Sequence, residues 1–394
     1  MRIERGDPFA LARELVRIDS RNPTLVAGGP GEATVARALG AILEGWGFRV
    51  ELRDAAPGRP NVIARIGPGG SGAPTLMLNG HLDVVGIEGM VHAPWVPEER
   101  QGRLYGRGSA DMKSGVAAMC AAAARAAATG TLSGEIIVTA VVDEEYQSLG
   151  TRALVSSGLR SDAAIVTEPT RLAIMPAHKG FVWIDLVTHG RAAHGSRWDV
   201  GVDAIRHAAL VLAELDAFDQ QELPLRSHPL LGRPSLHAAT IEGGTGLSTY
   251  PERCHVTIER RTIPGESPGQ VMAEMEQVCN RVRARHVGIA VDFNVLFSQP
   301  PSDVATGAPV VRALEAALRD AGEQVQITGM SAWTDAAVLN EAGIPAICFG
   351  PGDIAQAHAA EEYVDIQEIE RATDVLARLA LQWGSRTATD TWPS

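Results

Sequence analysis

Three apolar runs along the chain stop abruptly at polar residues. Leu76, Met77 and Leu78 give way to Asn79, Gly80, His81 and Asp83. The β-branched stretch 135–142 ends in Asp143, Glu144 and Glu145, and residues 163–167 run into Glu168 and Pro169. Short apolar runs of this kind read as buried strands of a parallel sheet. Helical signals separate them. Asp7 and Pro8 suit an N-cap and first helical position, and Leu11, Leu15 and Ile18 follow at helical spacing, predicting a first helix that ends near Ser20. Residues 32–46 predict a second helix closed by Gly47, residues 48–52 and 61–66 predict strands, and an alanine-rich run reaching Ala128 predicts a buried helix.

The pattern changes near Met175. Strands at 181–187, 235–241, 254–260 and 289–296 and helices at 200–215 and 268–287 fall in the order strand, helix, strand, strand, helix, strand. That order suggests a ferredoxin-like insert. Afterwards α/β alternation resumes, with helices at 308–321, 334–341 and 366–383 and a strand at 346–349. The expected fold class is therefore α/β: a mainly parallel-sheet catalytic domain built from residues 1–176 and 299–394, interrupted at 177–298 by an α+β domain.

Bulk properties narrow the function. A chain of 394 residues suits two cores, and 45% hydrophobic content fills both. A net charge of -12 would repel a phosphate backbone, so no nucleic-acid partner is expected. No stretch approaches a membrane span, and MRIERGDPFA lacks the apolar core of a secretory signal, so the expectation is a cytoplasmic protein with no membrane partner. Cys120, Cys254, Cys279 and Cys348 form no CxxC pair and read as buried free thiols.

His81, Asp111, Glu145, Glu168 and His358 make a set of five metal-ligand candidates without a thiolate. Such a set favours a hydrolytic site holding zinc, cobalt or manganese over a structural zinc. Adjacent carboxylates at the end of a central strand repel one another, and a cation would resolve the conflict. Five side chains suit two metals if one carboxylate bridges, and two metals can together activate water and polarise a carbonyl. Glu144, beside Glu145, has the position of a general base. Asp83 would orient the His81 ring through its other nitrogen.

The stretches GHLDVV, GRGSADMKSG, VVDEEYQSLG, TEPT and GPGDIAQAHAAEEYVDI, in this order, resemble the co-catalytic zinc family that contains acetylornithine deacetylase, succinyl-diaminopimelate desuccinylase, aminoacylase and glutamate carboxypeptidase. The resemblance runs from about Leu11 to the final helix. It implies Asp111 as a bridge, His81 and Glu168 on one metal, Glu145 and His358 on the other, and Glu144 as base. It also implies that the smaller domain serves as a lid and mediates homodimerisation. There THGRAAHGS resembles the segment whose histidine, here His194, stabilises the tetrahedral oxyanion; by itself His194 reads as an exposed loop residue.

Arg261 in ERRTIPGES resembles the family arginine that pairs with a substrate carboxylate, with Arg260 as its competitor. Gly350 and Gly352 flank Pro351, where backbone N–H groups could receive a carboxylate or simply form a turn. Ser248 in GGTGLSTYP stands where many relatives carry asparagine, and its shorter side chain makes fewer hydrogen bonds. The remaining histidines are given no role. Two functions are thus in view: hydrolysis of an N-acyl amino acid, or of a dipeptide-like amide as a carboxypeptidase or dipeptidase would do; and ligand binding on a scaffold without activity. A complete ligand set with Glu144 retained favours catalysis.

Overall fold

Asp7 starts the first helix, Pro8–Val16, by accepting a hydrogen bond from the Ala10 N–H at 2.9 Å. The computed structural model describes residues 3–70 and 72–385. The helix stops short of the expected Ser20 because the chain beyond it is drawn to a strand end. Ser20 Oγ donates to the Leu82 carbonyl at 2.7 Å, and the Val84 N–H donates to Ser20 O at 3.1 Å. The second helix, Ala33–Gly45, is followed by Gly47 at φ +92°, a left-handed turn that glycine adopts without strain.

Two compact units divide the chain. The first comprises the residues up to Pro176, Val304–Thr328 and the residues from Thr334 onward. Its sheet runs in spatial order Arg49–Ala56, Arg59–Ile66, Glu135–Val141, Thr75–His81, Ala163–Val166 and Ala346–Cys348, after which Met175 pairs with Cys348. The pairs joining Glu135–Val141, Thr75–His81, Ala163–Val166 and Ala346–Cys348 are parallel, and the flanking pairs are antiparallel. The fold is thus mixed α/β with a mostly parallel centre.

The alanine-rich helix, Ser114–Ala128, is buried on almost every side and packs against Pro8–Val16 and Ile366–Gly384. Small side chains permit this close approach. A Cβ on Gly115 would stand 2.0 Å from the Thr167 carbonyl oxygen, so only glycine lets the start of this helix lie against the strand end that carries Glu168. The sequence pattern does not reveal the helix Leu149–Ser156 or a small antiparallel sheet of Glu98–Arg100, Arg103–Tyr105 and Tyr363–Asp365, whose strands are too short for a period to show.

The second unit comprises Ala177–Asp303 and Gly329–Trp333. The latter segment joins it because the Lys179 N–H donates to Met330 O and the Trp333 Nε1–H donates to Pro300 O at 3.0 Å. Four antiparallel strands lie in the order Ser235–Gly243, Arg253–Thr262, Gly180–His189, Ala290–Gln299, which is ferredoxin-like. Helices Ala204–Gln221 and Pro268–Arg285 share one core with the sheet. The first of these begins later than expected because Asp203 caps it while Val202 pairs back to Arg191. All four cysteines are free and buried, and among the described residues no helix is long and apolar enough to cross a membrane.

His178, in the second unit, is buried. Its Nδ1–H donates to the Lys179 carbonyl at 3.0 Å, its Nε2 has no hydrogen-bond partner among the described residues, and burial lowers its pKa from 6.5 to about 4. Above pH 6.5 both folded and unfolded chains hold it neutral. Below that, only the unfolded chain gains the proton until about pH 4, so stability falls across this window by about 3 kcal/mol. Urea unfolding of the wild type and His178→Gln at pH 7.5 and pH 4 should show the wild type losing that much more than the variant. Parallel losses would mean that this imidazole does not stay neutral.

Candidate metal centre

Parallel register brings the ligand-bearing segments together. His81 is the last residue of its strand and is paired with Val141, the last residue of the neighbouring strand, and Asn79 is paired with Val166 on the other side. The three strands therefore end side by side, where ligands gather in open parallel sheets. After Val142 the chain turns through Asp143, at φ +67°, and this turn delivers Glu144 and Glu145. Asp111 comes from the wide turn Ser109–Lys113 that opens the alanine-rich helix, and its peptide bond to Met112 is cis. Before it, Gly108 at φ +79° has no room for a side chain, because a Cβ would lie 2.7 Å from Val84 Cγ1.

Asp111 stands between two histidines. Its Oδ1 lies 3.0 Å from His81 Nε2 and its Oδ2 lies 3.6 Å from His358 Nε2. Glu145 Oε2 is 3.0 Å from His358 Nε2, and Glu144 Oε2 is 3.9 Å from His81 Nε2. Among the described residues two groups have donor atoms close enough to share one ion: His81, Asp111 and Glu145, and His81, Glu144 and Glu168. The structure thus gathers all six of these expected residues around Asp111. His358 is the most open of them, with 53% of its side chain exposed.

The donor set fits a cation. His81 Nδ1–H donates to the Asp83 carbonyl at 2.9 Å, which leaves Nε2 facing a carboxylate oxygen. Burial opposes a charge on His81, but Asp111, Glu144 and Glu168 outweigh it and hold the pKa well above the usual value. Glu145 raises His358 to about 9. Burial, together with neighbouring carboxylates, raises Glu144 and Glu168 well above the ordinary range. Glu145 Oε1 and Glu168 Oε1 are buried without a hydrogen-bond partner among the described residues. Orphaned carboxylate oxygens among mutually repelling neighbours are what a bound divalent ion would satisfy.

Several expected details differ. Asp83 holds the His81 ring through its main-chain oxygen, whereas its carboxylate accepts hydrogen bonds from the N–H groups of Glu144 and Glu145 at 3.1 and 3.2 Å. Two amide donors outcompete a second imidazole contact. Asp143, the first of the three adjacent carboxylates, pairs with Arg59 at 2.8 Å and accepts from Asn22 Nδ2 at 3.1 Å, so its charge is met by side chains. Gly350 and Gly352 offer no free N–H to a ligand carboxylate: the first donates to Thr170 Oγ1 at 3.1 Å and the second to Glu368 Oε2 at 2.7 Å.

In the second unit, Arg260 is buried against Glu266 and Glu274, while Arg261 points to the other face, paired with Glu259 at 3.1 Å and stacked over Phe181. His194 is exposed and lies beside the Ser248 segment, since the Gly195 N–H donates to Ser248 O at 2.7 Å and His194 bridges to Thr249. Sequence reasoning missed Asn22, Arg59 and Glu362, which act on the centre through other residues and carry no ligand motif of their own.

A mostly parallel α/β frame with imidazoles and carboxylates collected at its strand ends defines a metal-dependent hydrolase. Residues 77–382 match the model of peptidase family M20/M25/M40, and the chain belongs to that family. It is 32% identical over 351 residues to an acetylornithine deacetylase of Myxococcus xanthus, covering 86% of this chain and 89% of the relative. It is 29% identical over 380 residues to an N-formyl-4-amino-5-aminomethyl-2-methylpyrimidine deformylase of Bacillus subtilis, covering 88% of each. A crystal structure of a dinuclear metal-binding peptidase of the same family from Bacillus subtilis superposes with a TM-score of 0.72 at 17% identity, over 96% of this chain and 97% of that one.

Metal should stabilise the fold measurably. An ion supplied at a hundred times its dissociation constant adds about 3 kcal/mol, read as a rise in Tm over chelator-treated protein. Asp111→Ala should lose most of that rise; an equal rise in the variant would remove Asp111 from the centre.

Proposed function

We propose that the chain hydrolyses the amide bond of an N-acyl amino acid with the help of two divalent metal ions. The observation that carries this reading is Asp111, whose two oxygens each face a different histidine, with a further carboxylate beside each histidine. In this reading His81 and Glu168 would hold one ion and Glu145 and His358 the other, with Asp111 shared between them. All donors are imidazole or carboxylate, which suits zinc, with cobalt or manganese as substitutes. Bound there, such ions supply Lewis-acid polarisation of the scissile carbonyl and an acidified water.

The remaining chemistry belongs to the chain. Burial raises the proton affinity of Glu144, so its carboxylate can take a proton from the attacking water. Glu144 then returns that proton to the nitrogen as the C–N bond breaks, giving a carboxylic acid product and an amine. Asp83 fixes the base and a proposed metal ligand together, since its carbonyl holds the His81 ring and its carboxylate holds the Glu144 main chain. The relatives' names describe removal of acetyl and formyl groups, which favours a short acyl group over a dipeptide.

Arg261, the half-exposed arginine of its pair, is assigned the substrate carboxylate, and His194, with Ser248 beside it, the developing oxyanion and its surroundings. The second unit is assigned the roles of lid and homodimer contact, and the cytoplasm is the proposed compartment.

The test is hydrolysis of N-formyl, N-acetyl and N-succinyl amino acids and dipeptides by protein stripped with chelator and reloaded with zinc, cobalt or manganese. Metal-dependent amine release, lowered about 10²- to 10⁴-fold in Glu144→Ala with bound metal unchanged, is the expected result. Silence across the panel in protein holding two ions would overturn the reading in favour of a non-catalytic binder. Arg261→Ala should raise KM about 10- to 100-fold for substrates with a free carboxylate and leave esterified ones alone; equal losses on both would cancel that assignment.

A further inference from the structure

Glu362 is fully buried, four residues beyond His358, and it is not placed to hold an ion itself. Its carboxylate instead collects four donors from the loop that carries Asp111. Oε2 accepts from Arg107 Nη1 at 2.7 Å and from the Gly108 N–H at 3.0 Å. Oε1 accepts from the N–H groups of Ala110 at 2.9 Å and Asp111 at 3.2 Å. Backbone pairing continues the join, because Tyr363, Val364 and Asp365 pair with Tyr105, Leu104 and Arg103.

A buried carboxylate with a single arginine partner is a weak source of stability, because desolvation offsets most of the attraction. Here the arrangement does something an apolar residue could not. It satisfies three main-chain N–H groups in a loop that turns through two left-handed glycines, Gly106 and Gly108, and it ends on the amide of Asp111 itself. The same residue is tied through a short run of chain to His358, the most exposed of the candidate ligands, which itself sits at φ +60°. The segments holding Asp111 and His358 are almost 250 residues apart in sequence, and Glu362 is the side chain that clamps one to the other.

We infer that Glu362, with Arg107, is a positioning residue that sets the spacing of Asp111 and His358 and thereby the affinity of the centre for its second ion. This rests on the reading that Asp111 and His358 hold metal. Partners that orient metal ligands typically change affinity 10- to 100-fold when removed.

The experiment measures zinc and cobalt affinity and stoichiometry by competition with a chelating dye, and the visible spectrum of the cobalt form, in wild type, Glu362→Gln, Glu362→Asp, Asp111→Ala and Val375→Ala. Glutamine keeps one acceptor oxygen but turns an amide NH2, a donor, toward N–H donors of the loop, so it breaks half of the clamp. Val375 is a buried residue of the last helix, and its truncation controls for lost stability alone. The expected result is a second-ion dissociation constant raised about 10- to 100-fold in Glu362→Gln, a changed cobalt spectrum, partial recovery in Glu362→Asp, and wild-type affinity in Val375→Ala.

Wild-type affinity in Glu362→Gln, or an equal loss in Val375→Ala, overturns the inference and leaves the metal reading standing. Failure of the wild type to bind a second ion, or two ions bound by Asp111→Ala, takes down the metal reading and the inference with it. Should Glu362→Gln not fold, Arg107→Gln takes its place under the same criteria.

Discussion

Repulsion among buried carboxylates is the constraint from which the rest of this structure follows. Asp111, Glu144, Glu145 and Glu168 converge on two histidines in a space largely closed to water. No packing of apolar residues would assemble such a group, since each additional charge makes the next harder to bury. The centre is held by rigid supports: parallel strands that end in register, a glycine that seats a helix against Thr167, and amide donors that lock the Glu144 turn to Asp83. The electrostatic strain that remains, visible in the orphaned oxygens and in the raised proton affinity of Glu144 and Glu168, is what a bound cation would relieve.

Several charges around the centre are met by buried or half-buried partners. Arg59 joins Glu32 and Asp143, Asn22 links Asp143 to Asp83, and Arg107 meets Glu362. Arg107 and Glu362 are buried, and Glu362 and Asn22 direct hydrogen bonds at the segments that bear site residues. Such networks define geometry more than they add stability.

What could be read from the sequence follows from where the information lies. The central strands and the alanine-rich helix announce themselves, because their burial dictates composition locally. The candidate ligands were legible for a related reason: carboxylates or histidines at the end of an apolar run contradict the run, and a contradiction is conspicuous. Contacts made by the main chain were not legible. The Asp83 carbonyl on His81, and the Gly350 and Gly352 amides already spent on Thr170 and Glu368, depend on the path of the backbone and leave no trace in residue type. Glu362 was hidden for another reason. Beside Glu361 it reads as an ordinary surface acid, and only the folded chain shows the loop whose amides it collects.

The interrupted first unit has a consequence for how the protein is made. Five of the six clustered site residues lie before position 170, yet His358 and the clamp at Glu362 leave the ribosome only after the whole of Ala177–Asp303 has been synthesised. The helix Ile366–Gly384, against which the alanine-rich helix packs, emerges later still. The nascent first unit must therefore hold a cluster of acids with one flank missing while another unit completes its own core. A chain cut short before His358 would carry all four clustered carboxylates without the histidine that faces Asp111 and Glu145.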